Sequence, residues 1–332
     1  MEKIIIAVTI GDAGGIGPEI SIKAVLNNDV KNECNCFIIG SAAIIKMAAK
    51  KLNINKKVCV CKEFAQIDFE NDYINVLEIG ILDESSFAIG KATKETGKAS
   101  VLCMDIAVKL CNEKKIAAFA SAPLSKQGMA LAGYHFAGAT EYLAHITNAK
   151  EYAMVLFFGS IKMFYVTNHV GLKEAILNLN EQDILKKICF IDKVLDEIGE
   201  TDKRIAVAAL NPHASENGKM GDEEKLIIEP AINKARENGI DAVGPIPADA
   251  LFIKARDGIY HTVLAMFHDQ GNIAAKLLNF GSGVTLISGL SVIRTSVAHG
   301  TAYDIAGKGI ASEDTLVSAI HTAVDVAKRK GK

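Results

Sequence analysis

The chain has 332 residues, 49% hydrophobic and 23% charged, with 37 basic against 39 acidic side chains and a formal charge of −2. At roughly 150 residues per domain this predicts two domains, and the apolar content excludes disorder. A near-neutral balance offers no global attraction for nucleic acid or anionic lipid, and no apolar run approaches the roughly 20 residues of a membrane span. Met1-Glu2-Lys3 leads straight into an apolar run, without the charged start and small-residue cleavage site of a secretory signal, so the expected location is the cytoplasm. Seven dispersed cysteines read as thiols of a reduced compartment; Cys34/Cys36 and Cys59/Cys61 have the spacing that shares one strand face.

Short apolar runs recur along the chain and lead into helical patterns. Ile4–Ile10 passes through Gly11–Gly17 to Pro18, which suits the first turn of a helix. Phe37–Ile39 ends at Gly40-Ser41 before an alanine-rich helix, and Ile116–Ala120 ends at Ser121-Ala122-Pro123. Such alternation predicts an α/β fold with mostly parallel sheets covered on both faces. Met154–Phe158 and Ile161–Thr167 flank Gly159-Ser160, a hairpin signal. One long helical region follows, from about Lys173 to Ile198, then apolar runs at Ile205–Leu210 and Thr262–Phe267. A last helix from about Ser312 turns Leu316, Val317, Ile320, Val324 and Ala327 inward.

Three of the eight histidines share one setting. His169, His213 and His268 each follow an apolar run, where ligands bind in open α/β sheets. A lone histidine is more often a loop or core residue; three in equivalent places fit a divalent metal site with an open position. Nitrogen donors favour zinc or another transition metal over magnesium. Downstream, Lys276, Arg294, Thr295 and Ser296 surround the glycine-rich stretch Phe280–Thr285, a composition suited to an anion. Gly11–Gly17 does not fit G-x-G-x-x-G and signals only a tight turn before a helix.

Over nearly its whole length the sequence resembles the 4-hydroxythreonine-4-phosphate dehydrogenases of vitamin B6 synthesis. The resemblance is carried by Gly14-Gly15-Ile16-Gly17-Pro18-Glu19, Leu210-Asn211-Pro212-His213, Pro247-Ala248-Asp249, His268-Asp269-Gln270-Gly271 and Ile293-Arg294-Thr295-Ser296. His299-Gly300-Thr301-Ala302-Tyr303-Asp304 and the residues through Gly307 are similar to the cofactor loop of isopropylmalate and isocitrate dehydrogenases. The resemblance implies two α/β/α domains of isopropylmalate dehydrogenase type with the active site in the interdomain cleft. Their expected extents are 1–120 plus 283–332, carrying the cofactor loop, and 121–282, carrying the metal ligands and dimer interface.

It further implies a homodimer, with a metal site of His169, His213 and His268 shared across the interface. Lys276 and Arg294 match substrate-binding residues, as does Thr140, and Asp249 matches an active-site carboxylate. The chain departs from the family at Ala139, where Gly138-Ala139-Thr140-Glu141 replaces Gly-His-Thr-Glu, at Thr285, where asparagine is usual, and at Ala298, where an acidic residue is usual. The substrate wall is thus altered while the metal and cofactor residues match.

The reaction so implied is metal-dependent, NAD-linked oxidation of 4-hydroxythreonine 4-phosphate to a 3-oxo acid that decarboxylates. Zinc is the expected ion, with cobalt or magnesium as alternatives. Asp249 and Lys126 are the candidate proton acceptors, and Asp269 is placed to act or to orient a neighbouring ligand. His299, Gly300, Thr301, Ala302 and Asp304 form the expected cofactor contact, with Asp304 selecting NAD over NADP. Three alternatives remain: a dehydrogenase of threonate or erythronate 4-phosphate, a phosphate acyltransferase-like protein, and a non-catalytic phosphometabolite binder.

Overall fold

In β1 (Ile4–Thr9), Ile6, Ala7 and Val8 are all fully buried. Successive strand residues face opposite ways, so helices cover both faces of the sheet at this point. The computed structural model describes residues 3–83, 85, 87–278 and 283–332. The Phe280–Ser282 part of the glycine-rich stretch and Met1-Glu2 lie outside them. The chain divides into two compact units, Met1–Met154 with Val284–Lys332, and Val155–Gly283.

In the first unit β1 turns into α1 (Gly17–Leu26), with Pro18 in its first turn, and α2 (Asn28–Glu33), capped by the Asn27 side chain. β2 (Cys34–Gly40) is followed by α3 (Ala42–Lys51), whose N-cap is Ser41. Then come β3 (Val58–Cys61), β4 (Ile74–Glu78) and α4 (Lys94–Asn112), which Thr93 caps. β5 (Ala118–Ser121), α5 (Lys126–Leu131) and α6 (Ala139–Ile146) complete the first stretch. Residues 121–154, read from sequence with the second domain, pack here instead. α5 lies on α4, and the Tyr142 hydroxyl donates to Asp105 at 2.5 Å.

The second unit opens with the expected hairpin, β6 (Ala153–Phe158) antiparallel to β7 (Ile161–Tyr165). The helical region expected next consists of two helices, α7 (Leu172–Leu177) and α8 (Glu181–Glu197). The break falls at Asn178-Leu179-Asn180, where the Asn180 side chain accepts from Asp183 N at 2.9 Å and starts a new helix. β8 (Ile205–Ala208), α9 (Glu229–Glu237), β9 (Ala242–Ile246), α10 (Ala248–Arg256), β10 (Thr262–Ala265) and α11 (His268–Leu278) follow. The strand order is β6-β7-β10-β8-β9, with β7, β10, β8 and β9 parallel.

The chain then returns to the first unit through β11 (Val284–Ser288), β12 (Arg294–Val297) and α12 (Asp314–Arg329). There the order is β3-β4-β2-β1-β5-β12-β11, parallel except for β11. Strands succeed one another outward from β1 on one side and through β5 on the other. The β1/β5 exit is therefore the point where an open sheet leaves a crevice for ligands. Leu316, Ile320, Val324 and Ala327 of α12 are fully buried and Val317 half-buried, on the inner face the sequence indicated.

Candidate active site

Two clusters stand at the carboxyl ends of parallel strands, one in each unit. In the second unit β7 leads to His169, β10 to His268 and β8 to His213, and β9 leads to Asp249. Since β10 lies between β7 and β8, the loops carrying the three imidazoles are spatial neighbours despite their spread in sequence. The His169 and His268 rings lie 5.6 Å apart, close to the roughly 5 Å that two imidazoles sharing one zinc-like ion require. His268 Nδ1 lies 2.7 Å from Asp269 Oδ1, an arrangement that leaves Nε2 as the donor for an ion.

His213 does not join this pair. Strands β7 and β8 are separated by β10, so their axes lie about 10 Å apart. Among the described residues no group of three His, Cys, Asp or Glu side chains is arranged to hold a metal ion. His213 heads a run of left-handed residues, with φ of +51° at His213, +52° at Ala214, +65° at Ser215, +44° at Glu216 and +58° at Asn217. Each such non-glycine residue costs about 1–2 kcal/mol, so the turn persists only because its surroundings enforce it.

The enforcing groups were not singled out from sequence. The buried Glu224 carboxylate accepts from Leu210 N at 2.8 Å, Asn211 N at 2.7 Å, Asn211 Nδ2 at 2.9 Å and Ser215 Oγ. Gln270 ties two histidine loops together: its Oε1 accepts from Met266 N at 2.7 Å, and its Nε2 donates to Ala209 O at 2.7 Å. Beneath them the Tyr165 ring stacks 6.0 Å from His268. A Cβ at Gly271 would come within 2.7 Å of Tyr165 Cε1, so glycine lets the ring lie against α11.

Lys276 sits elsewhere. Eight residues along α11 from His268, it is displaced by about 12 Å and exposed. It lies between Ile273 and Leu277, both exposed, and Ile253 of the adjacent α10 is exposed as well. Asp249 is also exposed and makes no ion pair among the described residues.

In the first unit the central feature is Arg294, 4% exposed on β12. Its Nε donates to Ser121 Oγ at 3.2 Å, and no carboxylate pairs with it among the described residues. Burial pushes its guanidinium down to about 10, still charged at neutral pH. An uncompensated buried charge is destabilising by several kcal/mol unless an anion arrives. Ser296 lies on the same strand face two residues on, and its Oγ donates to Ser121 O at 3.1 Å. Across the pairing stands Thr285, whose Oγ1 donates to Ser296 O at 3.3 Å. A buried cation with one hydroxyl partner and two further hydroxyls on the same sheet face is a set matched to phosphate or carboxylate.

At the start of α6 stands Thr140, with Ala139 before it. The Lys126 side chain runs past Gly138: its Cε would be 3.3 Å, and its Nζ 3.9 Å, from a Cβ built there. From the end of β12 the chain enters the 299–309 segment. His299, Gly300 and Asp304 are exposed, a Cβ at Gly300 would meet nothing within 4 Å, and Ala302 takes a φ of +44°. Asp304 makes no hydrogen bond among the described residues, leaving its carboxylate free to accept from hydroxyl groups of a bound nucleotide.

Comparison with known proteins matches residues 32–323 to the family described as Pyridoxal phosphate biosynthetic protein PdxA. The putative D-threonate 4-phosphate dehydrogenase of Oceanobacillus iheyensis is 40% identical, covering 99% of each chain. The D-threonate 4-phosphate dehydrogenase of Salmonella typhimurium is 39% identical, covering 98% of this chain and all of that one. Among solved structures, the 4-hydroxythreonine-4-phosphate dehydrogenase of Klebsiella pneumoniae superposes with a TM-score of 0.84 at 38% identity over 98% of both chains. With an α/β fold and relatives named as dehydrogenases throughout, the chain is an oxidoreductase. It belongs to the PdxA family.

Proposed function

We propose that this dehydrogenase oxidises the secondary alcohol of a four-carbon hydroxy acid bearing a 4-phosphate, with D-threonate 4-phosphate as substrate and NAD as hydride acceptor. The observation that carries the reading is Arg294, a buried guanidinium with no carboxylate partner among the described residues, bonded to Ser121 with Ser296 and Thr285 on the same sheet face. It supplies the charge that an anionic substrate brings to match. The choice of threonate over 4-hydroxythreonine follows the names of relatives 36–40% identical over nearly the whole chain, together with Ala139 and Thr285 in the substrate wall.

The chain's own groups divide the work. Arg294, Thr140 and the hydroxyls near them bind and orient the substrate's anionic end. Asp249 or Lys126, each without an ion pair among the described residues, takes the proton from the reacting hydroxyl. Asp269 holds His268 by its Nδ1 so that Nε2 faces outward. Asp304 accepts from the ribose hydroxyls and repels a 2′-phosphate, favouring NAD over NADP.

His169 and His268, with His213 brought up to that pair, would hold a divalent transition metal, which would supply Lewis acidity toward the substrate oxygen. Oxidation at C3 leaves a carbonyl β to the carboxylate, and loss of CO2 then gives a three-carbon ketone phosphate. Exposed Ile253, Ile273 and Leu277 form an apolar stripe suited to a second copy of the chain, and Lys276 within it would face that partner. A homodimer is therefore part of the reading.

One panel tests it: NADH formation with D-threonate, erythronate and 4-hydroxythreonine phosphates, each with NAD or NADP, before and after chelation. The expected result is NAD-dependent turnover, fastest with D-threonate 4-phosphate and lost on chelation. Faster turnover of 4-hydroxythreonine 4-phosphate would transfer the reading to that substrate. Activity surviving thorough metal removal would refute the histidine site, and silence on every substrate would leave a phosphometabolite-binding protein.

A further inference from the structure

We propose that Glu19 and Lys23 of α1 are positioning residues that hold the 299–311 segment in its cofactor-ready shape before any nucleotide arrives. The inference rests on reading that segment as the NAD loop. Glu19 is 4% exposed, and its carboxylate is spent entirely on main-chain N–H groups of that segment. One oxygen accepts from Gly307 N and the other from Gly309 N at 3.0 Å. Gly307 and Gly309 have φ of +74° and +73°, a turn that side-chain-bearing residues resist. One helical turn further on, Lys23 Nζ donates to Gly309 O at 3.1 Å and Ala311 O at 2.5 Å. Residues four apart share a helix face, so one stripe of α1 offers acceptors and donors to a single stretch of loop backbone.

The upstream half is anchored separately. Ile16 N donates to Thr301 O at 3.0 Å, and a Cβ at Gly15 would lie 2.6 Å from that oxygen. The Tyr303 hydroxyl donates to Asp12 Oδ2 at 2.9 Å; fully buried Asp12 also accepts from Gly14 N at 2.8 Å and Thr96 Oγ1 at 3.3 Å. These anchors bracket Asp304 on both sides and leave its carboxylate free. A loop ordered only by its ligand gives up affinity to that ordering, whereas one fixed beforehand does not. Two buried or part-buried charges committed to loop backbone, rather than to each other, are the mark of such pre-ordering.

The test uses the full chain, with NAD as the probe. Glu19→Gln and Lys23→Met are each expected to raise the Kd for NAD about tenfold, with kcat at saturating NAD within about twofold of wild type. Without NAD, amide exchange should accelerate over 299–311 and return toward wild type when NAD is added. A lowered melting temperature with unchanged Kd and unchanged exchange in the segment would reduce both residues to a structural role and overturn the proposal. Asp304→Ala separates the two readings. If it weakens NAD binding while the α1 variants do not, the loop is the cofactor site and the clamp is wrong. If none of the three moves the Kd, the segment is not the NAD loop and the clamp falls with it. Should Glu19→Gln fail to fold, Lys23→Met carries the same comparison.

Discussion

At the ends of β5 and β12 a charge is buried and its neighbours are hydrogen-bonded into place; at the ends of β7, β10 and β8 the imidazoles are solvent-accessible and one stands apart. The first region spends stability on Arg294 and needs only an anion to recover it. The second spends stability on backbone, in the left-handed turn beginning at His213. Chemistry that must recognise a fixed phosphate suits rigid sheet residues, while chemistry shared with a cation suits loops that can close around it.

The largest expected effect breaks the second region. His213→Ala should cut turnover at least about a hundredfold while leaving NAD affinity near wild type, measured by steady-state kinetics and direct titration. A matching loss of NAD binding would mean that His213 shapes the cofactor site instead. Next, Arg294→Ala should raise KM for the phosphorylated substrate about a hundredfold, with a melting temperature no lower than wild type because an uncompensated charge has gone. The wild-type KM should also climb as pH rises through about 10, where half of the guanidinium has lost its proton. An unaltered KM in the variant would place the phosphate elsewhere.

The smallest effect lies away from both regions and calibrates them. Lys31, at 2.6 Å, and then Lys56 hold the exposed Asp72 carboxyl at about 2. A depressed carboxylate contributes stability above its ordinary value near 4 and loses it as pH falls through 2. Asp72→Asn should therefore flatten the acid limb of a stability profile slightly between those values, and an unchanged limb would dismiss the pairing.

Much of the framework was legible because its signals are local. Pro18, Ser41 and Gly159-Ser160 mark turns and helix starts within a few residues, and the apolar runs before His169, His213 and His268 became strands. β12 carries Arg-Thr-Ser-Val and is wholly buried, so no apolar run announces it. Its polar groups are satisfied by distant partners such as Ser121 and, through Thr295 Oγ1 at 2.8 Å, Ala319 O. Glu224 and Gln270 were hidden for the same reason: their work is done on backbone atoms far along the chain. Asn178 and Asn180, which break the helical region, were visible as residue types, but the apolar periodicity ran through them.

The first unit is discontinuous, made from the chain's beginning and its last 49 residues, 284–332, whereas the second is one unbroken stretch. During synthesis the histidine-bearing unit can therefore finish folding while β5 still waits for β12 and α12 to cover its open side. The ribosome thus delivers the three histidine loops before β12 can bring Arg294 against Ser121.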